Sequence, residues 1–511
     1  MEKYNFWQRD LSAGLVVFLV ALPLCLGIGL ASTNLQGVNG LPSLFSGLIA
    51  GIVGGIIVGS LSGSRLGVSG PAAGLITIVL ASISTLGSFE GFLLAVCISG
   101  LIQLVAGFLK FGVISNYIPS SVIKGMLAAI GITLILKEFP HLVGYDADFF
   151  GDEAFEQSDG HNTLSELFYS INALHVGAIL IGISSLLGII FYEKYIAKKG
   201  LFRFLPGALI FVLIGGLINQ FLFQGNEMYY LDEKHLVQIP SITNPSDFFS
   251  HLSYPDFSFI SDPKVYVIAF TIAIVGSLET LLSVEATDKL DPEKNITSPN
   301  RELIAQGVGN IFCGLIGGLP ITQVIVRSSA NINAGGKSRI ATIFHGLLLF
   351  IAVMFFVAFL NKIPLAVLAA ILILIGYKLA SIDVIKKMYI AGWDQFIPFM
   401  ATIFGVLFTD LLKGILIGMS LALFFILKRN YKNNYEKEIK GDEIVISLSE
   451  EVTFLNKGGI QELLLSLPEN SRVVIDASKC KKMDYDVREL LLEFRDSRAN
   501  SKNIKINYVN V

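Results

Sequence analysis

The chain has 511 residues, of which 53% are hydrophobic and only 15% charged, against about 25% charged in a soluble chain. A mean hydropathy of +0.66 points the same way and excludes a soluble enzyme with a large core. The net charge of -3 carries no basic excess, which argues against a nucleic-acid partner.

A bilayer span needs about 20 mostly apolar residues. On that rule the sequence predicts a polytopic α-helical membrane protein of fourteen transmembrane segments, at about 11–31, 43–60, 69–86, 89–109, 119–137, 172–193, 204–222, 265–286, 301–318, 320–335, 340–360, 363–380, 394–410 and 412–428. Segment 1 has no small-residue cleavage site before it and reads as a retained span. Segments 13 and 14 are nearly continuous.

Charge placement sets the orientation. Alternate loops carry Arg65, Lys110, the group Lys194, Lys198, Lys199 and Arg203, then Lys289 and Lys294, Lys337 and Arg339, and Lys386 and Lys387. Lys428, Arg429, Lys432 and Lys437 follow segment 14. Loop 138–171 instead holds Glu138, Asp146, Asp148, Asp152, Glu153, Glu156, Asp159 and Glu166 and no Lys or Arg. Positive loops stay inside, so both termini are expected in the cytoplasm of a cell with a bacterial-type inner membrane.

Seven is odd, so segments 8–14 enter the bilayer opposite to segments 1–7. The expected transport domain, 1–430, is then two inverted repeats at about 10–222 and 265–428. Residues 431–441 read as a linker. Residues 442–511 read as a small cytoplasmic α/β domain, with strands at 444–448, 472–476 and 504–509 and helices at 460–467 and 487–494.

Two segments are broken at matched places. Val68-Ser-Gly-Pro-Ala-Ala-Gly74 opens segment 3 and Gly317-Gly-Leu-Pro-Ile-Thr322 opens segment 10. Irregular backbone survives in a bilayer only where it lines a cavity or site. Pro71 and Pro320 suit the first position of a helix. The amides that follow, of Ala72, Ala73 and Gly74 and of Ile321, Thr322 and Gln323, would lack intrahelical partners. With Gly70 they form the expected substrate site, two positive helix ends that hold a small anion, and Thr322 adds a hydroxyl.

Glu279 lies deep in segment 8, where a carboxylate costs roughly 2.5–3.5 kcal/mol. It is the candidate carrier of a coupling H+ or Na+, with hydroxyls such as Ser283. A carboxyl hydrogen-bonded between helices is the bland alternative. Arg327 follows Pro320 by about two turns and either raises the potential at the anion or snorkels to the surface. Cys25, Cys97, Cys313 and Cys480 are isolated and read as buried hydrophobes. No metal cluster, cofactor motif or nucleophile–base set is legible, so an enzyme is not expected.

These residues resemble the SulP family of anion transporters. The resemblance rests on Val68-Ser-Gly-Pro71, Tyr117-Ile-Pro119, Gly276-Ser-Leu-Glu279, Asn300-Arg-Glu-Leu-Ile-Ala-Gln306, Gly317-Gly-Leu-Pro320 and Val326-Arg-Ser328, and it spans nearly the whole chain. It implies a core unit (segments 1–4 and 8–11) moving against a gate unit (5–7 and 12–14), a homodimer, and a tail similar to the STAS domain but shorter. It also implies proton coupling at Glu279 and an anion site between segments 3 and 10. Leu24 and Ile28 stand where many relatives have Gln and an aromatic, which leaves the anion open between sulfate and bicarbonate. Met483-Asp-Tyr-Asp486 stands where regulatory relatives have a phosphorylatable serine. An uncoupled anion channel or exchanger is the rival expectation, and a nucleobase carrier the third.

Overall fold

The computed structural model describes residues 2–32, 44–147, 155, 162–196, 205–239, 249, 252–432, 435–440 and 443–510. Lys198, Lys199 and Arg203, and Asp148, Asp152, Glu153, Glu156 and Asp159 of the acidic loop, lie outside the described residues. The chain divides into two units, one of Met1–Gly392 with Pro398–Gly418 and one of Trp393–Ile397 with Met419–Val511.

The first unit is helical, and each predicted apolar segment within it carries helix. The helices are α1 (Glu2–Ala31), α2 (Leu44–Val53, continued by a π turn to Val58), α3 (Ile76–Leu86), α4 (Phe89–Phe108), α5 (Ser120–Val143), α6 (Thr163–Asn172), α7 (Val176–Phe191) and α8 (Gly207–Leu217). The second half gives α9 (Pro263–Leu290), α10 (Pro299–Ile316), α11 (Ile325–Asn333), α12 (Ile340–Phe355) and α13 (Leu365–Leu379). Among the described residues six helices are long and apolar enough to cross a bilayer, or seven if the bent pair 111–117 and 120–143 is one span. Glu138, expected in a loop, is buried inside α5, and Glu166 inside α6.

Packing sorts the helices into two groups. In the first, α4 lies against α9 and α10, and α1 against α2 and α12. In the second, α13 lies against α5, α7 and α8. Small residues set both seams, because without a hydrophobic drive inside lipid only close backbone approach gives dense packing. A Cβ on Gly100 of α4 would stand 2.6 Å from the carbonyl oxygen of Gly307 on α10, and the reverse substitution meets the same distance. Gly131 of α5 and Gly376 of α13 repeat the device.

The segment after α8 is secured to the second group. Asn219 exchanges both hydrogen bonds with the Leu231 backbone, and Val237 N–H donates to the Ile363 carbonyl. Asp146 is buried here and accepts from Nδ1 of His141 at 2.6 Å and of His235 at 2.5 Å. The His175 ring lies 4.8 Å from that of His235.

The second unit contains α14 (Trp393–Phe408) in part, α15 (Leu411–Lys432) in part, and a four-stranded sheet. Its strands are β3 (Tyr435–Lys440), β4 (Glu443–Leu448), β5 (Arg472–Asp476) and β6 (Lys505–Val509), in that spatial order. β3 pairs antiparallel to β4, whereas β4–β5 and β5–β6 are parallel. Parallel neighbours need crossovers, here helices 457–465 and 485–493. Their apolar faces meet Ile444, Ile446, Val473 and Ile475 in one core. The stretch 431–441, read as a linker, holds β3. Its exposed Glu436, Lys437 and Glu438 suit an edge strand, where charges discourage further pairing.

Candidate functional site

The two breaks meet. Ser69–Pro71, here β1, pairs antiparallel with Ile321–Gln323, here β2, in the register Ser69↔Gln323, Gly70↔Thr322 and Pro71↔Ile321. Two short extended pieces inside a helical unit would each leave backbone unpaired, and pairing them answers that cost for both. Val324 N–H donates to the Val68 carbonyl, and Val68 N–H to Ser328 Oγ at 3.0 Å. All six strand residues are buried.

This corrects the expected helix starts. Pro71 ends a strand and Pro320 precedes one; helix begins as a 3-10 turn at Ala73 and as α11 at Ile325. Pairing between the breaks supplies partners that a bare helix start would lack. Two of the expected anion-facing amides are consequently engaged. Ile321 N–H donates to Asn310 Oδ1 at 2.7 Å and Gln323 N–H to Thr280 Oγ1 at 3.3 Å. The antiparallel register sends α3 and α11 away from the crossing in opposite directions, so both N-terminal ends border it. Ala73 and Gly74, in the first turn on one side, have no intrahelical acceptor.

Thr322 is fully buried and its Oγ1 has no hydrogen-bond partner among the described residues. Glu279 stands against the α3 side of the crossing. A Cβ on Gly74 would lie 3.4 Å from both of its carboxyl oxygens. Ser283 is one turn further along α9, buried, and its carbonyl accepts from Thr287 Oγ1.

Arg327 does not snorkel. It is 0% exposed and reaches back from α11 beneath the opposite break, where Nη2 donates to the Pro71 carbonyl at 3.3 Å. Its Nε and Nη1 have no hydrogen-bond partner among the described residues. Gly70 makes room for it, since a Cβ there would fall 1.9 Å from Nη1. The guanidinium thus acts on the crossing from behind the strand, as a buried charge at low dielectric. His345 on α12 is also 0% exposed with both ring nitrogens unpartnered.

Residues missed by the sequence reading hold the crossing. Glu302, Gln306 and Asn310 lie at four-residue spacing on one face of α10, all buried. Glu302 accepts from Ser62 Oγ at 2.5 Å and Gly63 N–H at 3.2 Å. Gln306 Nε2 donates to Ser69 Oγ at 2.6 Å, and Asn310 takes both backbone groups of Ile321. The signal was present: polar residues at i, i+4 and i+8 within an apolar span form a buried stripe.

A helical membrane unit with a crossing of two broken segments is the architecture of a transporter, not of an enzyme. Residues 7–402 match the Sulfate permease family, and the chain belongs to that family. It is 27% identical over 435 residues to YvdB of Bacillus subtilis (strain 168), a protein provisionally described as a sulfate transporter, covering 83% of this chain and 75% of that one. It is 24% identical to the bicarbonate transporter BicA of Picosynechococcus sp. (strain ATCC 27264 / PCC 7002 / PR-6), covering 82% of this chain and 69% of that one. Two solved structures share the fold. The murine Solute Carrier 26 family member A9 anion transporter in its inward-facing state matches with a TM-score of 0.68 at 16% identity, over 98% of this chain and 85% of that one. The transmembrane domain of a cyanobacterial BicA matches with a TM-score of 0.55 at 21% identity, over 81% of this chain and 97% of that one.

Proposed function

We propose that this protein is a secondary transporter of a small inorganic oxyanion, sulfate or bicarbonate, working by alternating access. The observation that carries the reading is the β1–β2 crossing with a buried guanidinium, unpaired with any carboxylate among the described residues, directly behind Pro71. An anion at the crossing gains the Arg327 charge, the Ala73 and Gly74 amides that lead into α3 and the Thr322 hydroxyl without any cation in direct contact. The helix group around the crossing would be the moving core and the group around α13 the gate. Fourteen spans in two inverted repeats, both termini in the cytoplasm and a homodimer complete the reading, with the sheet of the second unit as a STAS-type domain.

Glu279, against Gly74, is placed to bind a coupling H+ or Na+ within reach of the anion's field, so each ion would favour the other's binding. The test is uptake of radiolabelled sulfate and bicarbonate into proteoliposomes under imposed pH and sodium gradients. Uphill accumulation driven by one gradient is expected; flux that never exceeds equilibrium would replace the reading with an uncoupled conductance. Glu279→Gln is expected to abolish the response to the driving gradient while anion exchange persists. An unchanged gradient response in that variant would remove Glu279 from the coupling step.

A further inference from the structure

The crossing has no covalent or helical continuity to fix its register, so something else must hold β2 against β1. Asn310 does what a neighbouring strand would do. Its Nδ2 donates to the Ile321 carbonyl at 3.1 Å while its Oδ1 accepts from Ile321 N–H at 2.7 Å. A side-chain amide has one more donor hydrogen, and that one goes to Gln103 Oε1 at 2.7 Å. Because Gln103 Oε1 accepts, its Nε2 is left to donate, and it does so to Ser277 Oγ at 3.3 Å. Gln103 is 0% exposed and Asn310 1% exposed.

This chain of bonds joins three elements that the transport reading uses separately. Ser277 is two residues before Glu279 on α9, and Ile321 is one residue before Thr322. Gly276 brings them together, since a Cβ there would lie 3.4 Å from Gln103 Nε2 and 3.6 Å from Thr322 Cγ2. The Thr322 hydroxyl, buried and unpartnered, is the group whose aim depends on this brace.

We propose that Gln103 and Asn310 are positioning residues of the anion site, setting affinity by locking β2 and Thr322 to the helix that bears Glu279 without touching the anion. The inference rests on the transport reading above. It makes a specific demand on chemistry at position 103: one acceptor toward Asn310 and one hydrogen-bonding group toward Ser277. Glutamate meets the demand in either protonation state, because the Ser277 hydroxyl can donate or accept. Methionine, of similar length, meets neither half.

The test compares Gln103→Glu and Gln103→Met with wild type in two measurements. In proteoliposomes, sulfate and bicarbonate uptake is titrated to separate KM from kcat. In detergent, hydrogen exchange is followed by mass spectrometry in the peptide containing Ile321 and Thr322. Gln103→Met is expected to raise KM about fivefold with kcat within twofold, and to speed exchange in that peptide. Gln103→Glu, which keeps both bonds, is expected to exchange like wild type in that peptide. The proposal is overturned if Gln103→Met keeps wild-type KM and exchange, or if exchange in Gln103→Glu is as fast as in Gln103→Met. If wild type moves neither anion, the transport reading fails by itself, and exchange in the two variants still decides whether Gln103 holds the strand.

Discussion

Apart from the Arg327 guanidinium on the Pro71 carbonyl, the β1–β2 crossing is held by neutral groups: Asn310, Thr280 and Ser328 on its backbone, Gln306 on the Ser69 hydroxyl and Gln103 behind Asn310. Another buried polar knot of the same unit, where Asp146 joins His141 and His235, is built from titratable groups, a carboxyl and two imidazoles. The difference follows from surroundings. Inside a bilayer an amide can be fully satisfied at no charge cost, whereas an ion pair must offset its desolvation. Beyond the end of α5 the cost falls and titratable groups become usable. Burial by itself would push the Asp146 carboxyl up, yet the hydrogen bonds and charge of His141 and His235 outweigh it and hold the group below its usual range.

The sharpest way to break this contrast is to remove a charge from each. Arg327→Gln deletes a buried charged donor, worth about 1.5–3 kcal/mol per bond, so anion KM should rise roughly ten- to hundredfold in proteoliposome uptake. Asp146→Asn should leave that KM within twofold. Equal KM losses in the two variants would erase the distinction between the regions.

Asp146→Asn should instead show in stability. It weakens two charge-assisted bonds, so the thermal midpoint should fall by about 5 °C, read by tryptophan fluorescence or aggregation in detergent. The folded carboxyl titrates below its ordinary value, so its contribution is complete above about pH 4 and fades only as pH falls through the depressed folded value. The difference between variant and wild type should thus still be present at pH 6; a difference that vanishes there contradicts the assignment.

A smaller effect is expected at Thr322. Thr322→Val keeps the shape and removes one hydroxyl, so anion KM should rise about three- to tenfold at constant midpoint. Unaltered KM would take Thr322 out of the site.

The mildest effect concerns His175. Its Nδ1 accepts from Ala178 N–H at 3.4 Å at the start of α7, and burial, then the His235 charge, lower its pKa from 6.5. The neutral ring is the one that caps, so this contribution is lost as pH falls below 6.5, where the unfolded ring already takes up a proton. Hydrogen exchange at the start of α7 should quicken, relative to its intrinsic rate, between pH 7.5 and 5.5. His175→Asn caps without titrating and should flatten that response; persistence of the response in the variant would place its origin elsewhere.

The breaks at 68–74 and 317–322 were legible because Gly-Pro punctuation has few uses inside an apolar span. Glu279 was legible from depth, and every predicted segment of the first unit carries helix. The strand pairing was not legible. Pro71 and Pro320 fit a first helical position as well as a strand margin, and only the presence of the other break, roughly 250 residues away, makes the extended form the cheaper one. Arg327 stayed ambiguous for the same reason, since a side chain two turns along a helix can reach water or a carbonyl.

Composition, hydropathy and punctuation alone determined that the chain lives in a bilayer and is interrupted at two matched points, because those properties are local and solvent enforces them residue by residue. The register of β1 against β2, the burial of Arg327 under Pro71 and the brace from Ser277 through Gln103 to Asn310 were decided by tertiary structure. Each depends on which distant donor meets which acceptor, and one-dimensional spacing does not encode that choice.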